Sequence, residues 1–185
     1  MNRRKLFFVL SIFSVIAVTD VQAQTLTVEK AREQFFTQDK TVDGALKLYN
    51  SLEKAELGKN PVLLAYRGAS SAAAAGSVNG VRKKLEYFNR GKAELEKAVG
   101  LKPLDAEIRF LRLATQVNAP GFLGYNSEIE NDKSLIIKTL QNVAANHPNS
   151  YLYHRICNFM LTHAELKTSE KAVLDQLIKK FNSKQ

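Results

Sequence analysis

Tryptophan is absent from this 185-residue chain, cysteine occurs once and proline four times. The lone Cys157 excludes both an internal disulfide and a cysteine-based zinc cage. So few prolines, with no biased tract, exclude collagen-like and linker-type chains. Histidine is scarce too: His147, His154 and His163 are the whole set. The last two stand nine residues apart, whereas a helical metal pair uses a spacing of four. No metal and no cofactor is expected. The nucleophile-elbow, phosphate-loop and dinucleotide glycine patterns are also missing. Cys157 with His154 forms an i, i+3 pair that could set a nucleophile beside its base. Lying among Ile156, Phe159 and Met160, the thiol reads better as a packed core residue. No residue is therefore assigned a catalytic role, and a non-enzymatic protein is expected.

What the chain does have is apolar content, 45% against 24% charged, enough to fill one core but too short a chain for two domains. Residues 1–23 read as a signal peptide. Arg3, Arg4 and Lys5 supply the positive start, and Leu6 to Val18 is apolar apart from Ser11 and Ser14. Val21-Gln22-Ala23 places small residues where a signal peptidase reads, so cleavage is expected after Ala23. Residues 24–185 are then one domain, periplasmic or secreted. The formal net charge of +9 would suggest nucleic acid in a cytoplasmic protein. In an exported one it suggests acidic or anionic envelope partners instead, and no nucleic acid.

Period-3.6 patterns dominate the remainder, and strand alternation is nearly absent. They predict an all-α fold of about eight helices in four antiparallel pairs. The expected spans are about 27–38 and 41–56, 61–76 and 80–100, 104–118 and 128–146, 150–163 and 168–182. Pro61, Pro103, Pro120 and Pro148 all fall at boundaries. Ser127 with Glu130 reads as a capping box, and His147-Pro148 as the stop of the helix that follows it. Residues 65–76 are nearly all small and predict a close-packed central helix.

A repeat runs through the second helices. Gly91, Leu95, Ala98 and Pro103 are spaced four, three and five; Ile136, Leu140, Val143 and Pro148 repeat this, and Ala45, Tyr49, Leu52 and Leu57 precede it. The period is about 45 residues, which also suits HEAT-like helical repeats. The run Ala93 to Val99, then Leu101-Lys102-Pro103 and Asp105-Ala106-Glu107, resembles the join between tetratricopeptide repeats. The segment 119–125 is similar to one in small exported tetratricopeptide-like proteins of Gram-negative bacteria. The resemblance implies helix pairs stacked into a superhelix with a concave face for a protein or peptide partner.

Candidate binding residues follow from these elements. The 118–126 loop is long and apolar, with Phe122 and Tyr125 inside it; it either tucks over the core or recognises a partner. Arg109 and Arg112, three apart on the preceding helix, are expected beside it, since aromatic and arginine side chains make binding hot spots. Tyr66 and Arg67 are the long side chains of the small-residue helix, the ones to line a groove. Arg82, Lys83 and Lys84 could give a weak contact with an anionic surface. The expected function is a non-enzymatic protein-interaction module of the cell envelope. The alternative is a small exported enzyme or ligand-binding protein using the 118–126 loop.

Overall fold

A computed structural model describes residues 26–38, 42–53 and 60–182; the expected signal peptide lies outside them. Among the described residues there are eight α-helices and no strand. They are α1 (Val28–Gln38), α2 (Val42–Glu53), α3 (Pro61–Ala74), α4 (Val81–Leu101), α5 (Ala106–Asn118), α6 (Ile129–Gln141), α7 (Ser150–His163) and α8 (Thr168–Asn182). No helix among the described residues is long and apolar enough to cross a membrane.

Local chemistry sets the starts. The Asn60 carboxamide oxygen accepts from the amides of Val62 and Leu63, and Pro61 occupies the first turn, where no amide is needed. Asp105 caps α5 in the same way through the amides of Glu107 and Ile108. At α6 the expected capping box does not form. The helix begins at Ile129, and the Glu128 amide just before it is met by the Gln116 side-chain oxygen at 3.1 Å. That bond ties the start of α6 to α5. The same helix ends at Gln141, five residues short of its expected 146. Lys180 of α8 donates to the Gln141 carbonyl at 2.9 Å, and to that of Leu140, which also accepts from the Val143 amide, so the end is satisfied without further turns. His147 and Pro148 thus lie in a turn leading to α7, where His147 Nδ1 accepts from the Asn149 amide at 3.0 Å.

Consecutive helices pack as pairs, and the odd-numbered ones also form a row, α1 on α3, α3 on α5 and α5 on α7. The core fills the space between them with Leu48, Leu52, Leu95, Ile108, Leu111, Ile136, Ile156 and Leu174, all buried. The pair α3–α4 is antiparallel: Arg67 meets Glu94, Gly68 meets Gly91, and Ser71 Oγ donates to the Tyr87 carbonyl at 2.9 Å.

This crossing is close, as the small residues of 65–76 lead one to expect. A Cβ on Gly91 would stand 2.6 Å from the Ala72 amide nitrogen, and one on Gly68 would stand 2.9 Å from the Gly91 carbonyl oxygen. Both obstacles are backbone, which cannot rotate away. Gly91→Ala is therefore expected to destabilise by about 1–3 kcal/mol, outweighing the ~1 kcal/mol that alanine gains in a helix. Gly100→Ala, on the same helix with open space around it, should stabilise instead. Chemical denaturation midpoints check both; equal shifts for the two would mean the helices do not cross at Gly91.

Candidate binding site

The residues that shape the site begin with α5. Its Ile108 and Leu111 face the core as its period requires, but Arg109 and Arg112 are buried too, 7% and 3% exposed. Both guanidiniums converge on Asp132 of α6, which is wholly inaccessible. Arg109 Nη1 donates to one carboxylate oxygen at 2.8 Å, and Arg112 Nε and Nη2 each donate at 2.8 Å. Gln116 Nε2 adds a fourth bond at 3.1 Å. Arg109 Nε also donates to the Pro103 carbonyl, and Arg112 Nη1 reaches Glu96 of α4 at 2.7 Å. Burial works against the Arg112 charge, but Asp132 and Glu96 outweigh it and hold the guanidinium above its ordinary pKa. The expectation that these arginines stand beside the loop to meet a partner is thus corrected. Helix α5 is covered by α3, α4, α6 and α7, so the side they share faces α6 and not solvent.

A second cluster lies nearer the start of α5. The Tyr66 hydroxyl, fully buried, donates to Glu107 at 2.7 Å. Arg32 of α1 grips the same carboxylate through Nε and Nη2 at 2.7 and 2.8 Å, and reaches Asn149 through Nη1. Burial, then the adjacent Glu107 charge, pushes the Tyr66 hydroxyl well above the usual tyrosine range. Arg67 is half-buried and held by Glu94 at 3.0 and 2.7 Å. Neither Tyr66 nor Arg67 lines a groove, contrary to expectation: the first is core, and the second ties α3 to α4.

The 118–126 loop divides its two aromatic residues. A single 3-10 turn spans Gly121–Leu123, and Gly124 follows at φ 59°, a left-handed conformation that a side chain would strain. This reversal sends the chain back to α4. There Tyr125 is buried, its ring edge-on to Phe88 at 5.9 Å and its hydroxyl donating to Glu96 at 2.8 Å. Phe122, at the tip, is 85% exposed. Tucking and exposure, which the sequence leaves as alternatives, are both present, three residues apart.

Phe122 stands at the rim of an apolar groove of about 800 Å³. Its walls are the small residues of α3 (Ala69, Ala72, Ala73), the first turns of α4 (Val81, Leu85) and the loop. Its floor is aromatic: Phe36 stacks on Phe110 at 5.8 Å, and Phe159 meets Phe110 edge-on at 5.3 Å. Thr115 and Asn118 also line it, but the hydroxyl donates to the Leu111 carbonyl and the amide to the Ala114 carbonyl, both on their own helix. Lys84 is the one charged residue along the lining. The sequence signal for this groove was the stripe of alanines on α3, which also serves to pack α4 through Gly68 and Ala72. Compared with family models, curated proteins and solved structures, the chain finds no match.

Other chemistry-bearing groups lie elsewhere. Cys157 is fully buried, and burial pushes its thiol up to about 12, far from a reactive thiolate. His154 faces Asn158 through Nδ1 at 3.2 Å. Among the described residues no cluster of His, Cys, Asp and Glu could hold a metal ion.

The division of the loop sets opposite expectations for its two rings. Phe122→Ala should move stability by no more than about 0.5 kcal/mol, as at an exposed site. Tyr125→Ala should cost about 3–5 kcal/mol, because it opens a cavity against Phe88 and removes the hydroxyl bond to Glu96. Thermal denaturation of the two variants checks this, and a large loss at Phe122 would place its ring in the core.

Proposed function

We propose that this chain is an exported, non-enzymatic binding protein that holds an apolar ligand in the groove beneath Phe122. One observation carries the reading: an aromatic-floored recess of about 800 Å³ whose lining bears a single charge. That volume is in the range of small-molecule sites, roughly 300–1,000 Å³, and a mostly apolar lining is their usual character. Of the two occupants open at the level of sequence, the ligand fits this geometry better than a protein partner. A protein-binding surface was expected from Phe122 and Tyr125 with Arg109 and Arg112, yet three of these four side chains are buried. Phe122 alone remains exposed, and it borders the recess. Export rests on the composition of residues 1–23, as does placement in the envelope.

The groove can be filled without disturbing the core. Thr115 is half-buried on the groove side of α5, so Thr115→Trp would occupy the space a ligand needs. The neutral dye Nile red is expected to bind the native chain at one site with enhanced, blue-shifted fluorescence. Thr115→Trp should lower that binding by about tenfold or more while leaving the helical circular dichroism intact. Failure of the native chain to bind the dye, or equal binding by a folded Thr115→Trp, would overturn the reading.

A further inference from the structure

We propose that the ligand is a free single-chain fatty carboxylate, its chain in the groove and its head at the start of α4 against Lys84. This rests on the groove being a ligand site and adds the chemistry of the guest. An apolar recess with one cation at its edge matches a molecule that is apolar along its length and anionic at one end. Lys84 is exposed, and among the described residues no carboxylate pairs with its ammonium. The charge is therefore available to an outside anion.

Three further features place the anion at this end. Val81, Lys84 and Leu85 all line the groove from the first turns of α4, so the apolar and cationic parts are adjacent. Gly80 precedes the helix with no side chain to cap it, and the first turn carries no acid. Its free amides and the positive end of the helix dipole thus add to the Lys84 field rather than being quenched. Arg82 and Lys83 stand exposed in the same turn and strengthen that field. At the other polar positions of the lining, Thr115 and Asn118 direct their donors to their own helix, which leaves them poor rivals for the head. A bilayer is a poorer match than a free molecule: the apolar surface is a recess with an aromatic floor, not a flat face carrying many cations.

The test compares three ligands of one chain length by titration calorimetry with the purified chain: laurate, dodecanol and dodecyltrimethylammonium, each below its micelle concentration. Laurate, ionised at neutral pH, is expected to bind at least several-fold tighter than the other two. Lys84→Glu should weaken laurate by roughly tenfold and leave dodecanol unchanged. Lys97→Glu, the same charge change on an exposed residue of α4 away from the groove, should leave laurate unchanged. Equal binding of laurate and dodecanol, or equal losses from the two glutamate variants, overturns the assigned head position while the apolar groove stands. Binding of none of the three overturns the groove reading as well. Co-sedimentation with phosphatidylglycerol vesicles in preference to laurate binding would assign the surface to a membrane and overturn the proposal.

Discussion

The carboxylate of Asp132, sealed from water and held by two arginines and a glutamine, is the contact on which the site's shape depends. A buried carboxylate is tolerable only when its oxygens are bonded and its charge is balanced, and removing one partner of such a group typically costs about 3–5 kcal/mol. Here that requirement forces α6 onto α5 in one register. Arg112 carries the constraint further, through Glu96 to α4, and Glu96 in turn holds the Tyr125 hydroxyl. One charge cluster thus joins two helices, the loop and the start of a third.

The groove follows from this arrangement. Tyr125 is seated on Phe88, and Gly124 turns the chain sharply before it, so that Leu123 packs beside Tyr125 while Phe122 stands exposed. Phe122 and Leu123 both line the recess with the alanines of α3, whose short side chains leave the space open. The Glu107 cluster also fixes α1 through Arg32, and with it Phe35 and Phe36, which line the recess. None of the residues of these two polar clusters lines the recess, whose one charged lining residue is Lys84.

Much of the helical architecture is legible in the sequence, because proline positions and apolar periodicity act locally. The boundaries of α7 and α8 coincide with expectation, and those of α3 and α4 fall within a turn. The errors have a common cause in contacts across the fold. At the end of α6 Lys180 bonds the last carbonyls, and at its start Gln116 of α5 meets the Glu128 amide, contacts that no local pattern carries. The same holds for the site. Periodicity assigns Arg109 and Arg112 to one side of α5, correctly, but it carries no information on what covers that side. A helix packed by neighbours all round buries its charges along with its leucines, and the acid that receives them lies twenty residues away or more. The groove was hidden for a related reason: a run of alanines reads as close packing, and only the arrangement of neighbours decides which part of it is left uncovered.

The account's central claim is that the Asp132 cluster holds the loop in place and so shapes the groove. Hydrogen exchange of the backbone amides in native protein and in Asp132→Asn tests it most directly, since the substitution keeps the side-chain size and removes the charge. The account predicts that protection falls across residues 119–132 in the variant, while the amides around Gly68 and Gly91, where α3 and α4 cross, keep theirs. Unchanged protection in the loop, or a loss spread evenly over all helices, would contradict it.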